Sequence, residues 1–197
     1  MVPIIAASEG TGRHDGTVVS AALPICRARL RGLASGLRTL PQGRGWIESG
    51  VWSLLLVGVA APLAWAGGLV TPAQAGPADA RTLLEPFLVP ALLEEGIFRG
   101  LLLPHPGDAS VPLRRRARWW LASLVLYVGS HPLAATLFRP AARSVFDAPA
   151  FLLEAALLGI AATALSQRTG SLWPGVLLHG ALVAAWLNLG GMALLSR

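Results

Sequence analysis

The chain has 197 residues, 54% hydrophobic and only 13% charged, with a mean hydropathy of +0.59, which excludes an ordinary soluble domain and indicates a small polytopic membrane protein. Its net charge of +6 comes from arginines gathered at the ends of apolar segments rather than on a polar face with stacking aromatics, a pattern of bilayer orientation and not of nucleic-acid binding. Cys26 is the single cysteine, so an internal disulfide and a cysteine-based metal site are both excluded.

In chain order, residues 1–45 are polar and arginine-rich and read as a loosely ordered cytoplasmic tail, with an interfacial helix over 21–37. A membrane-embedded domain is expected over 46–197. Its first span runs from about 51 to 70, flanked by Trp46 and Trp52 and ended by Thr71-Pro72. Ala73-Gln74-Ala75 resembles a signal-peptidase site, but the apolar stretch is long and follows a long polar lead, so it reads as a retained helix. Further spans are expected at about 83–103, 119–137, 148–165 and 172–195, each near the twenty residues that a bilayer core requires. The expected fold is all-α, a transmembrane helical bundle of about five spans around a polar cavity. Arg114-Arg115-Arg116-Ala117-Arg118 puts the loop after the second span in the cytoplasm, and the N-terminus with it. The loops at 71–82 and 138–147 then face outward, although Arg139 and Arg143 in the second run against the rule. Trp119, Trp120 and Trp173 are expected as membrane-interface anchors, Asp147 as the cap of the fourth span, and Glu154 as a bundle-facing or interfacial carboxylate.

Glu94, Glu95 and Arg99 fall within six residues of the second span, where each ionisable group costs roughly 2.5 to 3.5 kcal/mol at a helix centre. On the expected topology Glu94 lies about 14 Å from the cytoplasmic end of its helix, His131 about 18 Å and His179 about 10 Å. Three helices therefore bring titratable groups to one slab. A carboxylate that takes a proton from water, with imidazoles to hold the water or donate to an oxyanion, makes a hydrolytic site. Glu95 and Arg99 are one turn apart and neutralise each other, which leaves Glu94, about 100° round the helix, to face a cavity. Simpler roles compete: Glu95 with Arg99 as a structural ion pair, His131 capping carbonyls freed by Pro132, and His179 as a packing residue.

Taken in order, Glu94-Glu95-x-x-x-Arg99, Tyr127-x-x-x-His131 and the run Thr169-Gly170-Ser171-Leu172-Trp173-Pro174 leading to His179 resemble the CPBP family, the CAAX proteases and bacteriocin-processing enzymes also called Abi. The resemblance covers about residues 83–191. It implies a glutamate-type intramembrane endopeptidase, a helical bundle around a water-filled cavity, with no cofactor and no metal. By that resemblance Glu94 would activate water, His131 would position it, His179 would contribute to the oxyanion hole, and Glu95 and Arg99 would support the site. The implied partners are the bilayer and a membrane-associated peptide or protein; the implied location is a bacterial inner membrane. Substrate and oligomeric state stay open.

Two positions depart from the family pattern. Tyr127 stands where phenylalanine is usual, and Val183 where asparagine or aspartate is usual, four residues after His179. The second change removes a side-chain oxyanion donor, a loss of typically about 100- to 1,000-fold in turnover. Asn188 points about 180° from His179, and Trp186, on nearly the same face, lies about 10 Å further along the axis. Two other readings remain: a zinc protease using His131, His179 and Glu94, which lacks HExxH, and a non-catalytic scaffold or immunity protein, which Val183 favours.

Overall fold

In the computed structural model the described residues are 15–71 and 79–195, so Ala73-Gln74-Ala75 lies outside them. Among them no strand occurs; helices joined by short turns make an all-α polytopic bundle. Four helical segments are long and apolar enough to cross a membrane: α2 (Gly43–Ala66), α5 (Leu113–Phe138), α7 (Pro149–Thr169), and Trp173–Gly191, which contains α8 (Trp173–Trp186). Outward-facing Leu54, Leu55, Leu121, Val125, Leu133 and Phe138 are exposed, an arrangement suited to lipid and costly in water.

The second expected span, 83–103, is not one helix. It divides into α3 (Ala80–Pro86) and α4 (residues 90–101), separated at Val89, whose φ −136° and ψ 113° are those of an extended strand. Prolines explain the break. Pro86 and Pro90 remove two backbone donors, and the Pro90 ring bars the residue before it from the helical region. Asp79 starts α3 with a reciprocal cap, accepting the Thr82 N–H at 2.7 Å while the Thr82 hydroxyl accepts the Asp79 N–H at 3.3 Å. The break aims α4, and with it Glu94, Glu95 and Arg99, along a course of its own.

At the centre stands α7, packed on α2, α5 and α8. Its buried face carries Ala155, Leu158, Gly159, Ala161, Ala162, Leu165 and Ser166, mostly small residues that let neighbouring helices come close without needing a hydrophobic driving force. Residues 24–38 of α1 (Asp15–Arg38) dock at the arginine-rich end of the bundle. The Leu172 N–H donates to Gly36 O at 3.0 Å and the Trp173 indole to Leu37 O at 2.9 Å. Arg29 lies over the Trp119 ring at 4.9 Å. Trp173 therefore clasps α1 and is more than the interface anchor expected of it.

Asp147 does not cap α7: Ala148 takes that place with no side-chain hydrogen bond, and Asp147 pairs with Arg143 at 3.3 Å, the nearest cation one helical turn away. At the opposite end of the bundle α8 stops at Trp186, and the chain turns through Gly190 at φ 99°. There the Thr71 N–H donates to Leu189 O at 3.0 Å and the Thr71 hydroxyl to Gly190 O at 3.2 Å. A Cβ on Gly190 would clash with Thr71 O. Gly190→Ala is accordingly expected to destabilise the bundle by about 1–3 kcal/mol through both the clash and the backbone conformation, read as a lower unfolding midpoint in detergent.

Candidate active site

The polar residues of the expected site come from three directions: α4 supplies Glu94, Glu95 and Arg99, α5 supplies Tyr127 and His131, and α8 supplies His179. Glu95 and Arg99 are almost completely buried, their side chains each 1% exposed, with Nη1 of Arg99 3.2 Å from Oε1 of Glu95. That contact is an ion pair rather than an aligned hydrogen bond, for Nη1 meets no acceptor at good angle. The second guanidinium nitrogen, Nη2, donates to Gly159 O on α7 at 3.1 Å. The pair expected from the one-turn spacing is thus present, and it also pins α4 to α7.

Glu95 has a second partner that the spacing did not indicate. His179 Nδ1 lies 3.1 Å from the same Oε1, buried on both sides. A carboxylate accepts, so Nδ1 carries the proton and the other ring nitrogen is turned outward from Glu95. This Nε2 lies 4.0 Å from Oε2 of Glu94, too far for a direct hydrogen bond and close enough for one water to bridge. Glu94 Oε2 is out of solvent and has no hydrogen-bond partner among the described residues, while the side chain as a whole keeps 24% of its surface exposed. The two glutamates therefore differ in surroundings. Gly175 permits the arrangement: a Cβ there would stand 3.0 Å from Glu95 Oε2, so a larger residue would push α8 and its histidine away.

His131 does not hydrogen-bond to either glutamate. Its Nδ1 is 2.9 Å from Tyr127 O, a carbonyl that can only accept, so Nδ1–H is the donor and Nε2 is the acceptor of the neutral ring. Phe146 and Phe151 pack edge-on against it, at 5.8 and 5.3 Å between ring centroids. Tyr127 joins the two histidines. Its ring, 1% exposed, is perpendicular to that of His131 at 5.1 Å and to that of His179 at 6.1 Å, with the Arg99 guanidinium over its face at 4.3 Å. The sequence singled out Tyr127 only as a departure from a motif; its place four residues before His131 was the available signal.

Neither side chain considered as a substitute for Val183 is free. The Asn188 amide donates to Ala184 O at 2.7 Å and its carbonyl accepts the Thr82 hydroxyl at 3.2 Å; the Trp186 indole donates to Leu69 O at 2.7 Å. Glu154 stands apart on α7, with Oε1 out of solvent and no hydrogen-bond partner among the described residues. Among those residues, no three His, Cys, Asp or Glu side chains are grouped to hold a metal ion, so the set His131, His179 and Glu94 is not drawn together as zinc ligands.

The model of a family described as type II CAAX prenyl endopeptidase, Rce1-like, matches residues 78–185, more than half of the chain. The match takes in Glu94, Glu95, Arg99, Tyr127, His131 and His179. No curated protein and no solved structure matches.

Proposed function

Because the chain belongs to the Rce1-like family of type II CAAX prenyl endopeptidases, and so to the CAAX-type intramembrane proteases, we propose that it hydrolyses a peptide bond in a membrane-associated peptide or protein by a glutamate mechanism. One observation carries the reading: the buried bond from His179 to Glu95, which aims the other imidazole nitrogen at Glu94 across a gap the size of a water.

In this mechanism Glu94 takes a proton from that water as the water oxygen bonds to the scissile carbonyl carbon. The carbonyl π pair moves onto oxygen. His131, held by Tyr127 O, accepts at Nε2 a hydrogen bond from the second O–H of the water, which keeps that hydrogen, and so fixes the direction of attack. On collapse the oxygen pair re-forms the carbonyl, the C–N bond breaks, and the proton on Glu94 passes to the leaving nitrogen. His179 contributes to the oxyanion hole when Nε2 also carries a proton. Glu95 and Arg99 are positioning residues: the ion pair holds Glu95, and Glu95 holds the imidazole. A dry setting strengthens each of these contacts, which supports catalysis at this site and not merely packing.

The same reading places the N-terminus and the loop at 104–112 in the cytoplasm and the protein in a bacterial inner membrane, with arginine clustering as the support. Membranes of cells producing the parent protein or Glu94→Ala at equal levels are expected to differ in a small set of peptide N-termini, present only with the parent. Identical sets would defeat the proposal.

A further inference from the structure

At the arginine-rich end of the bundle, the start of α2, the end of α7 and the turn 39–42 between α1 and α2 line an open cavity of about 480 Å3. That is within the range of about 300–1,000 Å3 usual for small-molecule sites. Arg44 and Arg168 both line it, with Glu48 between them. Glu48 accepts one Nε–H from each, at 3.3 Å from Arg44 and 2.9 Å from Arg168. One carboxylate cannot neutralise two guanidiniums, so a positive charge is left over. Both arginines are exposed, and among the described residues no acceptor meets the terminal Nη groups of either. The first turn of α2 leaves room beside them, for a Cβ at Gly43 would meet nothing within 4 Å.

Depth and pattern select the occupant. Both α2 and α7 are long and apolar enough to cross the membrane, so the ends that line the cavity lie at headgroup level, where the exposed Trp46 is a suitable anchor. Ile47, Val51 and Leu54 follow Arg44 at i+3, i+7 and i+10 on one side of α2, and all three are exposed. A cation heading an exposed apolar stripe matches a phospholipid, with phosphate above and acyl chain below; free phosphate has no use for the stripe. The planar guanidinium fork suits phosphate oxygens, which can accept two parallel N–H bonds. A choline headgroup would bring a further cation to a place where cations already outnumber anions. We propose that this cavity holds the headgroup phosphate of an anionic phospholipid, with Arg44 and Arg168 as its cations and the Ile47–Leu54 side of α2 along one acyl chain. No residue of the hydrolytic site takes part, so the lipid site stands or falls separately from the chemistry at Glu94.

The test titrates the full-length protein, in neutral detergent, with phosphatidylglycerol, with phosphatidylcholine of the same acyl chains, or with inorganic phosphate, and counts bound lipid by native mass spectrometry. The parent is expected to take its first phosphatidylglycerol at least about tenfold more tightly than phosphatidylcholine. Arg44→Gln/Arg168→Gln is expected to weaken phosphatidylglycerol about 25-fold, roughly fivefold for each arginine, and to leave phosphatidylcholine unchanged. Arg114→Gln/Arg115→Gln removes the same charge from the exposed start of α5, outside the cavity lining, and is expected to stay within about threefold of the parent. Glu48→Gln frees both guanidiniums and is expected to tighten phosphatidylglycerol.

Equal affinity of the parent for the two lipids overturns the proposal. Equal losses in the two arginine pairs overturn it as well, because surface charge alone then attracts the lipid. Displacement of phosphatidylglycerol by an equal concentration of inorganic phosphate would make the ligand a free anion and not a lipid. Circular dichroism accompanies each titration; if the Arg44→Gln/Arg168→Gln protein does not fold, Arg44→Gln alone, at a side chain 91% exposed, carries the test with its roughly fivefold loss.

Discussion

Glu94→Gln, purified and reconstituted, is expected to cut its peptide about 100- to 10,000-fold more slowly than the parent protein while unfolding at the same temperature. Glutamine keeps the size of the side chain and loses the ability to take a proton from water. The fold is expected to tolerate the loss of this carboxylate. Among the described residues its Oε2 has no hydrogen-bond partner, the nearest cationic candidate is a histidine nitrogen 4.0 Å away, and about a quarter of the side chain is exposed. The proposed reaction would account for a group that contributes little to stability yet sits at membrane depth beside an oriented imidazole. Circular dichroism and a thermal unfolding curve, measured beside the cleavage rate, separate the two effects.

Arg99→Leu is expected to behave in the opposite way and unfold. Glu95 would lose the Arg99 guanidinium while its side chain stays 1% exposed, and breaking a buried pair from one side costs about 3–5 kcal/mol. The Gly159 carbonyl on α7 loses its donor in the same change. Removing both charges with Glu95→Leu/Arg99→Leu is expected to restore much of that stability, since no uncompensated charge remains. Activity should not return with it. Without Glu95 nothing in the site holds His179 Nδ1, so the imidazole loses its orientation toward Glu94. A stable, inactive double variant would identify the pair as a positioning device, and equal instability of all three variants would contradict that.

Much of the helical architecture was legible because it rests on local rules. Long apolar runs located α2, α5, α7 and α8, and i to i+4 spacing located the Glu95–Arg99 pair. Pro86 and Pro90 mark the break at Val89, yet the apolar run there has the length of a single span: hydropathy counts side chains and is blind to the two missing backbone donors. Asp147 looked like a cap, but Arg143 one turn earlier offers its carboxylate a charged partner.

The link between Glu95 and His179 lay beyond local rules. It joins residues 84 apart in sequence and depends on how closely α8 approaches α4, which Gly175 permits and no periodicity encodes. Tyr127 was hidden for a related reason. Its spacing to His131 could be read, but its contact with His179 and its place under Arg99 need three helices in position at once.

The most direct test of water activation by Glu94 is cleavage of the identified peptide by parent protein and Glu94→Gln, side by side, in excess EDTA. The account predicts an undiminished rate for the parent and a rate at least about 100-fold lower for the variant. Cleavage by Glu94→Gln at the parent rate, or parent activity that vanishes with EDTA and returns with zinc, would contradict it.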